Sequence, residues 1–460
     1  MYQRILEYLC FALLIIFIGC STYPREVSLP EPRPLGKEFA TFQPPHKLSD
    51  NDLASFQFEE PTGVITLSQV LSLALMKNPE LKTFSWDLRV EEARTLQAGL
   101  LPNPEIDIEL ENMSGSGSFQ GSDEMETTLQ FSQLIELGGK RYKRKRLAAL
   151  DQYLAGWDYE TKRLNTFTRV TKTFIDLISA QEQLALTEEL VRLAEEVFNT
   201  VSERVKAGKV SPVEETRARI ALSTSQIELE RAKRKIEIAR RALAATWGST
   251  SPIFKKAEGK LDIPTSIPSL EEIAHWISQN PDIARWVVEM EKLQTAVEME
   301  DAQKIPDLTL NGGLRRFNET EDHAFVIGLS IPIPIFDRNQ GGALETRYRL
   351  VKAEEERKRS DVHVQTKLVE RYQTLSATFT EITLLKEEVL PRAQSAFKAI
   401  REGYRQGKFD YLEVLDAQRT LFEVRAQYIE TLTAYHKIVA DVERLIGGQI
   451  DTVESSLRQK

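Results

Sequence analysis

"ERVKAGKVSPVEETRARIAL" occupies residues 203–222, and "REGYRQGKFDYLEVLDAQRTL" occupies residues 401–421. In each, a long charged, helix-forming run stops at one glycine, Gly208 or Gly407, and restarts within a few residues. Glycine ends helices because it adopts the left-handed conformation without steric cost. Upstream of the first stop, residues 140–207 hold no proline and one interior glycine, Gly156. Upstream of the second, residues 340–406 hold glycines only at 341, 342 and 403 and one proline, Pro391. Such runs predict helices roughly 100 Å long at ~1.5 Å per residue, far beyond the usual ~11–12 residues. Shorter return helices are predicted at about 212–247 and 410–446.

Working outward, the chain can be laid over itself. "MKNPEL" (76–81) matches "SQNPDI" (278–283), and "NPEIDIEL" (103–110) matches "IPDLTLNG" (305–312), both at an offset of 202. "KAGKVSPVEE" (206–215) matches "RQGKFDYLEV" (405–414) at 199, as Trp247-Gly248 matches Ile446-Gly447. Two copies of one unit follow, at 63–247 and 269–447, with a linker at 248–268 and a tail at 448–460. Each opens with a predicted helix, about 66–100 or 269–304, capped by Thr66 or Ser68 and by Ser269 with Glu272 three residues on. One long helix is as long as two short ones stacked end to end. Each copy is thus predicted to pair a continuous helix with a broken one, along a seam including Leu184, Leu186, Leu190, Leu193 and Val197.

Between the short and long helices lie alternating stretches, predicted as β-hairpins at about 104–134 and 306–335. Ile106, Ile108 and Leu110 alternate with Asp107, Glu109 and Glu111; Leu129 and Phe131 with Thr128, Gln130 and Ser132; Phe325, Ile327, Leu329 and Ile331 with Ala324, Gly328 and Ser330. Four strands with one apolar face cannot close a barrel, and an open edge cannot sit in lipid. The chain is therefore expected to oligomerise. Two copies give eight strands, whose interior side chains fill, and three give twelve, which leave a lumen.

Charged residues are 28% of the 460, the net charge is -9, and the signs are interleaved. No basic face invites nucleic acid. The first 19 residues read as a signal peptide: Arg4, the apolar run "LCFALLIIFIGC" (9–20), then Phe17-Ile18-Gly19-Cys20. That ending resembles a bacterial lipoprotein signal, which implies lipidation at Cys20 and, with Ser21 next, the outer membrane. Residues 20–62 are rich in proline and read as an extended tether without a core of its own.

The duplicated hairpin-plus-long-helix order, with "ELGGKR" (136–141), "IPIPIFDRNQG" (331–341) and "GKFDYLEVLDAQRTL" (407–421), resembles the TolC-type outer-membrane efflux proteins. It is most similar to their heavy-metal (cobalt–zinc–cadmium) branch. The resemblance covers about residues 64–447. It implies a mostly α fold with a small β part: a homotrimer in which long helical hairpins form an α-barrel and four strands per chain form a twelve-stranded membrane barrel. It implies a periplasmic adaptor and an inner-membrane pump, RND type, as partners. It places Gly208, Lys209, Gly407 and Lys408 at the tips that meet the adaptor, and Tyr404, Glu413 and Asp416 at a closed periplasmic mouth. Arg217, standing where the second copy has Asp416, is expected to pair with an acid of that copy. The basic run "GGKRYKRKR" (138–146), which opposes the dipole of the helix it opens, is expected at lipid headgroups.

No catalytic constellation stands out. His46, His275, His323, His363 and His436 are mutually remote in sequence, and no G-x-S-x-G or P-loop occurs. No cofactor and no metal-selective site are expected, so an inner-membrane pump would choose the cargo. Two alternatives remain: a conduit for type I protein secretion, and a coiled-coil structural or adaptor lipoprotein of the periplasm. The alternating strands speak against the second.

Overall fold

The computed structural model describes residues 30–45 and 60–450; the predicted signal peptide, Cys20, His46 and the end of the tail lie outside the described residues. The first repeat comprises β1 (Gly63–Thr66), α1 (Leu67–Lys77), α2 (Pro79–Ala98), β2 (Glu105–Glu111), β3 (Glu126–Ile135), α3 (Lys140–Lys206) and α4 (Pro212–Ala245). After β4 (Phe254–Glu258), the second comprises α5 (Leu270–Ala274), α6 (Pro281–Ala302), β5 (Leu308–Phe317), β6 (His323–Ser330), α7 (Gln340–Leu384), α8 (Leu390–Arg405) and α9 (Tyr411–Ile446). The fold is mostly helical with a small β part, as the sequence predicts. Two compact units divide it: residues 88–156 with 287–354, and residues 31–87 with 157–286 and 355 onward. No helix of the described residues is long and apolar enough to cross a membrane.

In the larger unit, each predicted opening helix is broken. Asn78 leaves the helix at φ -52, ψ 120, and Asn280 at φ -61, ψ 123. Both precede proline, which drives its predecessor out of the α region. Both side chains are buried, Asn280 completely. Each caps the next helix: Leu81 N donates to Asn78 Oδ1 (2.8 Å) and Asp282 N to Asn280 Oδ1 (2.8 Å). Each also donates from Nδ2 to the end of its own repeat's return helix, Asn78 to Thr246 O (2.7 Å) and Asn280 to Leu445 O (2.9 Å). The start of α2 thus meets the end of α4, and the start of α6 meets the end of α9.

Between the repeats, α3 and α9 run antiparallel along a polar ladder. Arg444 bonds Asn165 (2.8 Å), Lys172 pairs with Asp441, Lys437 with Asp176, Thr433 with Ser179 (2.7 Å), and Arg425 with Glu189 (2.7 Å). Within the first repeat, α4 presents small buried residues seven apart, Ala218, Ser225, Ala232 and Ala239. Of the predicted seam on α3, the leucines are only half-buried, while Val191, Ala194 and Val201 go deepest.

Residues 30–45 of the predicted tether, and the linker, are docked rather than loose. Leu35 is 1% exposed and sits in the core with Phe167 and Trp247. Buried Arg163 donates to Leu35 O (2.9 Å) and Arg33 O (3.1 Å), and pairs with Glu160 (2.7 Å), which accepts from Arg33 N (2.7 Å). Leu35 N in turn donates to Gly447 O (3.0 Å). β4 pairs in parallel with β1 and buries Phe254 and Ala257.

In the smaller unit, the strands form one antiparallel sheet in the order β2-β3-β5-β6. Register aligns Ile108 with Leu129, Leu129 with Leu314, and Leu314 with Phe325, a row of apolar side chains across all four strands. That row, with Ile106, Phe131 and Ile327 (83% exposed), leaves one face of the sheet apolar and uncovered. The opposite face carries Arg315, paired with Glu111 (2.9 Å) and Glu126 (2.9 Å). β6 stops at Ser330, short of the predicted 335, because Pro332 and Pro334 lack the N–H a ladder needs.

The basic run 138–146 has partners within this unit. Lys140 is buried against Asp307 (2.8 Å), and Arg144 pairs with Glu136. Arg141 donates to Gly99 O (2.7 Å), and Arg144 donates to Ala98 O (3.0 Å) and Leu100 O (3.3 Å). Carbonyls at and beyond the end of α2 are where cations are favoured. These contacts offset the unfavourable placement at the start of α3.

Replacing a buried amide that bonds in two directions leaves its partners unsatisfied, at about 1–3 kcal/mol. Asn78→Ala and Asn280→Ala are each expected to lower the thermal unfolding midpoint followed by circular dichroism. An unchanged midpoint in both would contradict the pinning role.

Candidate functional site: the two glycine turns

Both turns lie in the larger unit and share one geometry. Gly208 and Gly407 adopt φ +69 and +76. Lys209 N donates to Arg204 O (2.9 Å) and Lys408 N to Gly403 O (2.8 Å), closing the last turn of each helix. The restarts are capped: Val213 N donates to Ser211 Oγ (3.3 Å), and Asp410 forms a reciprocal capping box with Glu413. Lys209 and Lys408 are exposed at the apices.

Behind the apices the two repeats share one apolar cluster: Val201 and Ala218 from the first, Phe397, Tyr404, Tyr411, Val414 and Leu421 from the second. The Tyr404 and Tyr411 rings lie 6.4 Å apart. Arg204 stacks its guanidinium 4.5 Å from the Tyr404 ring and donates from Nη1 to Tyr404 O (3.1 Å). A cation–π contact of this kind is worth about 0.5–2 kcal/mol. Where the first repeat has Arg204, the second has Gly403, and a Cβ there would stand 2.2 Å from the Phe409 ring. Among the described residues, the Tyr404 hydroxyl and Glu214 Oε2 are buried with no hydrogen-bond partner. Burial pushes the Tyr411 phenol up to about 12, aided by Tyr404 and the Glu214 carboxylate. Burial also raises Tyr404, against the nearby Arg204.

Of the gate residues singled out from the sequence, only Tyr404 joins this cluster. Glu413 is exposed and spends a carboxylate oxygen on the Asp410 amide (3.0 Å). Asp416 is 72% exposed and pairs with Arg419 (3.5 Å). Arg217 is exposed, and among the described residues no ion pair with the second repeat involves it. The bridge between repeats is made by Arg204 instead. Its signal in the sequence was an arginine standing where the second copy has glycine. Glu214 and Tyr411 gave no comparable signal. Among the described residues, no group of three or more His, Cys, Asp or Glu side chains could hold a metal ion.

Tyr411 titrates near 12 in the folded chain against about 10 unfolded. The neutral phenol is favoured by the fold, so its stabilisation is complete below pH 10 and lost as the pH rises toward 12. Thermal midpoints are expected to fall over that window in the wild type and less steeply in Tyr411→Phe. Parallel curves for the two proteins would contradict the assignment.

Comparison with known proteins places this geometry. The family model described as "Outer membrane efflux protein" matches residues 70–249 and 273–448, one match per repeat. The cobalt-zinc-cadmium resistance protein CzcC of Cupriavidus metallidurans is 34% identical over 418 residues, covering 90% of this chain and 98% of that protein. The probable outer membrane lipoprotein SilC of Salmonella typhimurium is 23% identical and covers 92% and 95%. The crystal structure of the outer membrane protein VceC of Vibrio cholerae superposes with a TM-score of 0.69 at 18% identity, covering 84% of this chain and 96% of that one. The family is one of passive efflux conduits rather than enzymes. With both repeats matched and a relative this similar along nearly its whole length, the chain belongs to the outer membrane efflux protein family.

Proposed function

We propose that this protein is the outer-membrane exit duct of a tripartite efflux system, working as a homotrimer with a periplasmic adaptor and an inner-membrane pump of the RND type. One observation carries the reading: the four-stranded sheet has an uncovered apolar face and open edges at β2 and β6. Lipid suits the face but not the edges, whose N–H and C=O groups need partners. Three chains edge to edge give twelve strands and a lumen lined by the polar face. The exposed row Val213, Ile220 and Ile227, spaced by seven on α4, gives neighbouring chains a second apolar seam. A water-soluble coiled-coil spacer has no use for such a sheet. Cys20, outside the described residues, is the proposed lipid anchor.

The cargo proposed is divalent heavy-metal cations, on the likeness to CzcC. Choice among cations rests with the pump, since no metal-holding cluster exists among the described residues. Protein secretion remains the second reading, which the same tunnel would serve. The glycine turns form the periplasmic tip: Gly208, Lys209, Gly407 and Lys408 face the adaptor, and Arg204 on Tyr404 holds the mouth closed. Glu413 and Asp416, exposed beside that mouth, favour cation entry, and Arg217 is available to acids of a neighbouring chain.

Planar-bilayer conductance of the purified protein tests the tip. Arg204→Ala and Arg217→Ala are expected to raise the open conductance severalfold, and Glu413→Ala with Asp416→Ala to weaken cation selectivity. Intact oligomers with unchanged currents in every variant would refute the gate. Membrane insertion tests the barrel: Cys20→Ser is expected to lose labelled fatty acid yet retain inserted oligomer. Ile327→Glu, which puts a charge on the lipid face, is expected to lower the inserted fraction. A fully soluble, monomeric Cys20→Ser protein would overturn the barrel. Loss of cobalt, zinc and cadmium tolerance on deleting the gene, restored by the wild type, is the expected sign of the cargo.

A further inference from the structure

The exposed apolar alternation of β6 does not end where the strand does. Phe325, Ile327 and Leu329 continue, two residues at a time, into Ile331, Ile333 (78% exposed) and Ile335. These last three lie past the end of β6, and Ile335 N turns back on Ile333 O (2.9 Å). Pro332 and Pro334 stand between them. A proline disables a strand only on the side that its missing N–H would face.

The hydrogen bonds at the far end of the sheet fix that side. Along an antiparallel pair, bonded and non-bonded residue pairs alternate, so successive residues turn their N–H and C=O to opposite neighbours. Asn318 N donates to Met125 O (3.0 Å), one step beyond the aligned Phe317 and Glu126. Odd-numbered residues of β3 therefore bond to even-numbered residues of β5. Phe317 N donates to Asp322 O (3.0 Å), one step beyond the aligned Arg316 and His323. Even-numbered residues of β6 therefore bond to β5, and the odd-numbered ones turn to the open edge. Even-numbered residues of β3 are left to bond odd-numbered residues of β2, so Ile106, Ile108 and Leu110 turn to the other open edge. Carried past Ser330, the same alternation sends the two missing N–H groups toward β5 and those of Ile331, Ile333 and Ile335 outward.

We propose that residues 331–335 are a one-sided strand that pairs with residues 106–110 of a second copy of this chain, Ile331 opposite Leu110, Ile333 opposite Ile108 and Ile335 opposite Ile106. The register comes from the duplication. Ile108 faces Leu129 in the first repeat and Leu310 faces Leu329 in the second, so β2 maps onto β5 at an offset of 202 and β3 onto β6 at 200. Within the chain, β3 meets β5 with Phe131 opposite Gly312, Gln133 opposite Leu310 and Ile135 opposite Leu308. Mapping each strand onto its counterpart gives the three pairs above. Each pair joins two exposed apolar side chains on the face of the sheet that is already apolar and uncovered. Each also joins two residues whose N–H and C=O turn to open edges. The prolines deny residues 332 and 334 a bond to their own chain and so reserve the segment for its neighbour. The pairing rests on the reading of this protein as a homo-oligomeric duct and names the residues that join its subunits.

Disulfide trapping in isolated outer membranes tests the register. Bonded antiparallel partners have Cα atoms about 5.5 Å apart, within the reach of a disulfide. A slip of two residues puts them roughly 9 Å apart, beyond it. On oxidation, Ile333→Cys with Ile108→Cys is expected to give at least tenfold more cross-linked dimer and trimer than Ile333→Cys with Ile106→Cys or with Leu110→Cys, the single-cysteine variants serving as blanks. A shifted pair that cross-links as well or better overturns the register. Inserted oligomer with no cross-link in any pair overturns the pairing, leaves the segment to lipid and leaves the duct reading standing. Absence of any inserted oligomer in the wild type removes the pairing and the duct reading together. A second comparison tests the one-sidedness. Ile333→Pro, which removes an outward N–H, is expected to lower inserted oligomer at least fivefold, while Ile333→Val and Pro334→Ala stay within twofold of the wild type. Equal losses in Ile333→Pro and Pro334→Ala, or a loss in neither, overturn it.

Discussion

A return helix half as long as the helix it packs against sets the central constraint. It leaves half of the long helix's apolar side open to water, and another helix must cover it end to end with the first. A junction between helix ends is the costliest place to bury, because carbonyls of one and amides of the other lack intrahelical partners. Asn78 and Asn280 resolve this with one side chain each: the amide oxygen accepts from an orphan N–H, and the amide nitrogen donates to an orphan C=O. The proline that follows each asparagine removes a further donor from the account and fixes the corner. Everything that depends on straight paired helices, including the level at which the glycine turns sit, follows from those two junctions.

Duplication supplied two such arms, and small divergences gave them different work. At one turn a glycine makes room for Phe409; at the other the equivalent residue is Arg204, long enough to cross to Tyr404. One long helix kept a regular backbone, and the other took a proline. The pairing between arms carries a polar ladder along α3 and α9 and a shared apolar cluster near the turns. Most of the charged rungs are half-exposed pairs, each worth little by itself, whereas the apolar cluster is buried. Near their tips the arms share that cluster, where Arg204 and Tyr404 meet.

Much of this was legible in the sequence because it is periodic. Glycine stops, constant offsets and two-residue alternation survive any tertiary context, and they led to the repeats, the turns and the sheet. Asn78 and Asn280 stood inside the very segments that revealed the duplication, yet the break went unseen, since an amide's value as a pin depends on what lies across the junction. Pro391 was visible, but a proline in a helix is compatible with a kink, a break or a π turn. The tip chemistry was the least legible part. Glu413 and Asp416 have the spacing of a pair on one face, but spacing does not tell a capping carboxylate from a free one. The acceptors of the basic run at 138–146, Asp307 and the carbonyls of Ala98 and Gly99, lie far away or on the backbone, where sequence carries no trace.

The clasp around Leu35 bears on the order in which the chain is completed. Leu35 N meets Gly447 O, while Arg163 and Glu160 grip the backbone on either side of Arg33. Closing a loop of roughly 410 residues costs about 5 kcal/mol of chain entropy, and contacts of such separation form late. A chain delivered from its N-terminus therefore carries a buried charge pair and a core leucine that find their last neighbour only when α9 is complete. Until that moment the larger unit has an unsealed core, and its final helix acts as the closure that converts two finished arms into one body.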